Sequence, residues 1–286
     1  MELWCKETEV DFFTKSNGFS NPEQLFYHSD DGHWYAYWPK NYKGEKTTLQ
    51  SRNALIGAFT EKWSSDILRR FAHSRGWYSV QGVICEEIGL VRQSPADLAF
   101  CVTQQINQPA RNIKALFEVK MSVVWNWELK GNKIICLGDY TSHKGTPGLL
   151  RSDSMLKAIG KSINIRVSGH SAAKIPIIIL GNTPISEMYF SKVDHLKKSG
   201  IIQAFWSLNP DPRDGILTKK TTPENGFIKM DNYEELITCL EELFTEELEF
   251  FSSMKSKSEL GKIIEIANQE EAYESKAQKF LELIRD

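Results

Sequence analysis

The chain has 286 residues, is 41% hydrophobic and 25% charged, and carries a net charge of −2, which suits a globular protein with a sizeable core. It shows no apolar run near the roughly 20 residues of a membrane span, and the opening MELWCKETEVDFF lacks the basic and apolar regions of a signal peptide. Five scattered cysteines (Cys5, Cys85, Cys101, Cys136, Cys239) show neither CxxC nor Cys/His spacing, so the expectation is reduced thiols in a cytoplasm and no structural zinc.

Residues 1–50 read as an irregular segment of short strands and loops around the aromatic patch HWYAYWPKNY. His28, Asp30, Asp31 and His33 have the residue types of a metal site, but the Asp-Asp-Gly between them is a turn signal and outweighs it. Over residues 51–75, Leu55, Ile56, Phe59, Trp63, Ile67, Leu68 and Phe71 recur at helical spacing, and Gly76 marks the stop. Glu61 lies on this helix. Residues 77–91 read as one or two strands with Glu86 and Glu87 near an end. Ser94-Pro95 then breaks the chain, and Asp97 opens an apolar strand over 98–102.

The looser QQINQPARN leads into ALFEVKMS, residues 115–122, an apolar strand that carries Glu118 and Lys120. Alternation puts those two on one face and Phe117, Val119 and Met121 on the other. LKGNK is a turn and IICLG a further strand. DYTSHKGTPGLLRSDS is a polar Gly-rich loop with His143, Lys144 and Arg151. The spacing predicts a helix over 154–167, with Met155, Ile159, Ile163 and Val167 on one face and Lys157, Lys161 and Asn164 on others. KIPIIIL reads as an interior strand, SKVDHLKKSG as a helix, and IIQAFWSLNP as a strand. From residue 232 two acidic helical segments follow, 233–251 and 258–284.

This order predicts an α/β (α+β) core with a central mixed sheet flanked by helices. The expected division is residues 1–50 as an aromatic-rich segment, 51–222 as the core, and 223–286 as acidic helices packed on the core or on a partner subunit. Residues 223–286 hold 16 acidic and 7 basic side chains, a net of −9, so the rest carries +7. A basic body with an acidic tail suits a polyanion ligand met away from the tail; segregated helix faces produce the same pattern.

Glu118 and Lys120 have an ordinary reading, an ion pair across one face of an edge strand, which contributes little. Asp97 alone reads as a strand-start cap. A sharper reading joins them: if the two strands pair, Asp97 and Glu118 meet at one sheet end, where two carboxylates need a cation. Hard oxygen ligands on an open site suit Mg²⁺. A lysine beside them can hold the nucleophilic water and offset developing charge. The chemistry that uses these parts is phosphodiester hydrolysis.

Ser94-Pro95-Ala96-Asp97, followed about 20 residues later by Glu118-Val119-Lys120, resembles the PD-(D/E)xK nuclease motif, and more closely the chain looks like bacterial type II restriction endonucleases. The proline stands one position further from Asp97 than in that motif. The resemblance spans residues 52–208. It implies a restriction-endonuclease-like core, Asp97 and Glu118 as ligands of Mg²⁺ (with Mn²⁺ as substitute), Lys120 as catalytic lysine, and Glu61 as a further acidic residue. Glu86 and Glu87 compete for that last role, and a solvated helix face is the ordinary reading of Glu61. It also implies duplex DNA as substrate, a homodimer, and a cognate DNA methyltransferase in the same system. Arg52, Asn53, Lys144, Arg151, Lys157 and Lys161 are candidate DNA contacts. A repair or junction-resolving nuclease of the same fold and a non-catalytic DNA-binding protein are the competing functions.

Overall fold

The apolar runs in the middle of the chain become the strands of one large sheet. The computed structural model describes residues 2–44, 49–245 and 257–285. The chain begins with α1 (Lys6–Asn17), α2 (Pro22–Leu25), β1 (Tyr27–His28), β2 (Trp34–Tyr35) and the long α3 (Gln50–Ser74). Next come β3 (Tyr78–Val83), β4 (Ala96–Cys101), β5 (Ile113–Lys120), β6 (Asn126–Lys130) and β7 (Lys133–Gly138). They are followed by α4 (Ser152–Ser168), β8 (Ile177–Gly181), α5 (Phe190–Lys198), β9 (Ala204–Ser207) and β10 (Phe227–Lys229). The helices α6 (Tyr233–Thr245), α7 (Lys257–Ala267) and α8 (Tyr273–Arg285) complete it.

The central sheet has six strands in the order β10-β9-β8-β5-β4-β3, and a second antiparallel sheet runs β1-β2-β6-β7. The central sheet is mixed: β3, β4 and β5 pair antiparallel, while β5, β8, β9 and β10 pair parallel. This is the mixed α/β architecture expected from the element order. β5 is an interior strand with β4 and β8 on its two sides, so Glu118 and Lys120 do form the expected ion pair but not on an edge strand.

Alternation along β5 sorts its side chains between two apolar layers. Phe117 and Val119 join Phe12, Phe13, Leu68, Phe71, Leu236 and Leu240 on one side. Leu116 joins Met155, Ala158, Ile165 and Val193 on the other. Glu118 follows Leu116 by two positions and so faces the layer of α4.

Three expectations need correction. The first 50 residues hold a helix, α1, with Phe12 and Phe13 fully buried. Two adjacent phenylalanines and a buried glutamate do not mark a 3.6-residue stripe, which is why the pattern hides it. Glu9 is fully buried and its carboxylate accepts from Trp4 Nε1 at 3.1 Å, Trp127 Nε1 at 2.7 Å, and the Val124 and Trp125 N–H groups at 2.6 and 3.2 Å. Four donors make a buried acid tolerable and tie α1 to the segment that follows Lys120.

In α4 the buried stripe is Met155, Ala158, Ser162, Ile165 and Arg166, whereas Ile163 is 42% and Val167 70% exposed. A polar side chain fills the core position: Arg166 donates to the carbonyls of Ile201 at 3.1 Å and Ile175 at 2.8 Å and to Gln203 Oε1 at 2.9 Å. Residues 258–284 form two helices, α7 and α8, because the polar run at 268–271 interrupts the apolar spacing. The end of the first expected acidic segment, residues 246–251, lies outside the described residues. Among the described residues no helix is long and apolar enough to cross a membrane.

Candidate active site

The register of β4 against β5 pairs Leu98 with Phe117, which sets Asp97 opposite Glu118 at one end of the sheet. Asp97 extends the ladder with its side chain: Oδ2 accepts the Val119 N–H at 2.8 Å. On the other side of β5, Glu118 stands beside Ile179 and Lys120 beside Gly181 of β8. The strand pairing thus brings Asp97, Glu118 and Lys120 together. Glu118 is only 9% exposed.

Two ammonium groups hold the two carboxylates. Lys120 Nζ donates to Glu118 Oε1 at 2.6 Å and to the Val119 carbonyl at 3.2 Å, and lies 3.5 Å from Asp97 Oδ2. Lys161 comes from α4 and was expected at a DNA surface. It turns inward instead, with Nζ 2.5 Å from Glu118 Oε2 and 3.2 Å from Asp97 Oδ1. Its signal in the sequence was its place on the flank of the stripe Ala158, Ser162, Ile165.

Burial raises the Glu118 carboxyl above its ordinary range, and Asp97 adds to this, while Lys120 and Lys161 work against it. For Lys161 burial opposes the charge, but Glu118 and Asp97 outweigh it and raise the ammonium. Glu61 on α3 belongs to the same field. Its carboxyl is raised by burial, then by Asp97 and Glu118, with Lys120 and Lys161 opposing. Asp97 and Glu118 share Lys120 and Lys161 in a part-buried site, where like charges are costly unless a cation balances them.

Glu86 and Glu87 form a short 3-10 turn, and the Glu87 side chain accepts the Ala110 N–H at 3.4 Å; neither is among the leading influences on Glu61, Glu118 or Lys161.

The expected DNA contacts scatter. Arg52 is 3% exposed, bonded to the Ala36 carbonyl and set over the rings of Tyr37 and Tyr27 at 4.7 and 5.3 Å. It is a core arginine, not a surface contact; its guanidinium is consumed by carbonyls and aromatic faces. Asn53 is exposed. Lys144 donates to the Tyr42 carbonyl and lies over the Tyr42 ring. Arg151 and Lys157 are exposed and share Asp153, at 3.4 and 3.1 Å. His33 pairs with Glu128, His28 packs on Trp34, and Gly32 has a left-handed φ of 85°, so the 28–33 segment is a turn.

Among the described residues no group of three or more His, Cys, Asp or Glu side chains stands together as a metal cluster. The donor set at the sheet end is two carboxylates. That fits Mg²⁺, which commonly takes one or two carboxylates and completes its shell with waters and substrate phosphate; it does not fit a closed structural ion. Comparison with protein-family models, with curated proteins and with solved structures finds no match to this chain.

Proposed function

We propose that this chain is a Mg²⁺-dependent endonuclease that hydrolyses phosphodiester bonds of duplex DNA, most specifically a type II restriction endonuclease. The observation that carries the reading is the convergence of Asp97, Glu118 and Lys120 from adjacent strands at one sheet end. The succession α3, β3, β4, β5, α4, β8, with β6 and β7 of the second sheet inserted after β5, supports the PD-(D/E)xK core that these residues resemble. In this reading Asp97 and Glu118 hold the metal, Lys120 holds the attacking water and offsets charge building on the phosphoryl oxygens, and Glu61 is the outer acid. When bound, Mg²⁺ supplies Lewis-acid polarisation and a more acidic water. Mn²⁺ substitutes for it, the enzyme works as a homodimer on a two-fold site, and a cognate methyltransferase protects the host DNA.

A second reading has one observation in its favour. Every carboxylate oxygen of Asp97 and Glu118 already has an ammonium or N–H partner, as in a structural ion-pair network of a non-catalytic protein. The two readings differ in what alanine does. Asp97→Ala, Glu118→Ala and Lys120→Ala should each reduce Mg²⁺-dependent plasmid cleavage by at least about a hundredfold while circular dichroism and the melting transition stay near wild type. Unfolded variants would instead identify a structural network, where breaking a pair costs about 3–5 kcal/mol.

A further inference from the structure

Asp97 and Glu118 each give one oxygen to each of two lysines, yet the lysines are held unequally. Lys120 shares the strand with Glu118 and also donates to the Val119 carbonyl at 3.2 Å. Lys161 reaches in from another layer, across the space between α4 and β5. Among the described residues its ion-pair and hydrogen-bond partners are Glu118 Oε2 and Asp97 Oδ1, one oxygen of each acid. It bridges the two carboxylates, the groups that would hold a divalent ion.

We infer that Lys161 is a resident counter-ion: it keeps the cation position between Asp97 and Glu118 and yields it to a divalent ion, after which its ammonium takes a phosphate oxygen of the substrate. The inference rests on the metal-dependent reading above. A doubly charged hard cation outcompetes an ammonium for carboxylate oxygens. The flexible four-carbon stem of lysine lets the head group swing without moving the helix. Lys120 keeps its carbonyl acceptor when the carboxylates are taken, whereas Lys161 keeps none, so Lys161 is the group released.

The test is titration of the full chain, without DNA, with MnCl₂ followed by calorimetry and Mn²⁺ spin resonance. Lys161→Met should bind Mn²⁺ about tenfold more tightly than wild type, because no resident charge is displaced. Equal or weaker binding overturns the inference. A measurement on the unaltered chain avoids dependence on the variant's folding: reductive methylation of lysines, read by mass spectrometry, should label Lys161 faster when MgCl₂ is present. Unchanged or slower labelling overturns it too. The double variant Asp97→Asn/Glu118→Gln separates the two claims. If wild type binds Mn²⁺ through these acids but Lys161→Met binds no tighter, only the role of Lys161 falls. If neither wild type nor Lys161→Met binds Mn²⁺, the metal-dependent reading falls with it.

Discussion

Single side chains carry most of the chemistry here, and three acids show how differently burial can be used. Asp97 and Glu118 are balanced by ammoniums. Glu9 is balanced by N–H donors alone, and burial raises its carboxyl from 4.5 to about 7 against the pull of those donors. The folded protein therefore binds this proton more tightly than the unfolded chain. The stability it contributes is full below about 4.5 and is lost as pH rises through about 7, a change of about 3 kcal/mol. In Glu9→Gln that term is absent, so the stability difference between wild type and variant, measured by urea unfolding, should shift against wild type between pH 4.5 and 7. A difference that stays constant over that window would mean that the four donors keep Glu9 ionised throughout. At this scale the sequence was legible where a residue type has one use: Asp97, Glu118 and Lys120 are unusual in apolar strands. Arg52 was misread, and the inward turn of Lys161 was missed, because a basic side chain looks the same in a sequence whether it faces solvent, a carbonyl or a carboxylate.

Elements set the site through pairing and close approach. Gly181 ends β8 beside Lys120 of β5, and a Cβ there would stand 2.6 Å from Leu149 Cγ. Leu149 belongs to the loop between β7 and α4 and its N–H donates to Thr183 Oγ1 at 2.9 Å. Gly181→Ala should therefore cost about 1–3 kcal/mol through overpacking, and Leu149→Ala in the same chain should recover part of that loss. Denaturant unfolding of the two single variants and the double variant measures the coupling; strictly additive effects would contradict this contact. The strands were legible because β4, β5 and β8 are apolar runs bounded by Pro, Asn and Gly. The helix α1 was not, since its burial depends on Glu9 meeting Trp127 and Val124, partners more than a hundred residues away. The buried face of α4 was misassigned for a related reason: Arg166 occupies a core position that only the carbonyls around residues 172–201 make acceptable.

At the scale of the whole molecule, the pairing of β4 with β5 and the packing of α3 and α4 on that sheet bring the acids and lysines to one sheet end. If the proposed function holds, the body of +7 rather than the tail of −9 meets the duplex, and counterion release makes affinity fall with salt. The proposed function requires metal-dependent cleavage at a defined sequence. Its most direct measurement is incubation of the wild-type chain with several long duplex DNAs, in MgCl₂ and in EDTA, followed by sequencing of every fragment end. A restriction endonuclease yields discrete fragments in Mg²⁺, none in EDTA, and one shared sequence around all the ends. Intact DNA in Mg²⁺, or cleavage that persists in EDTA, would contradict it.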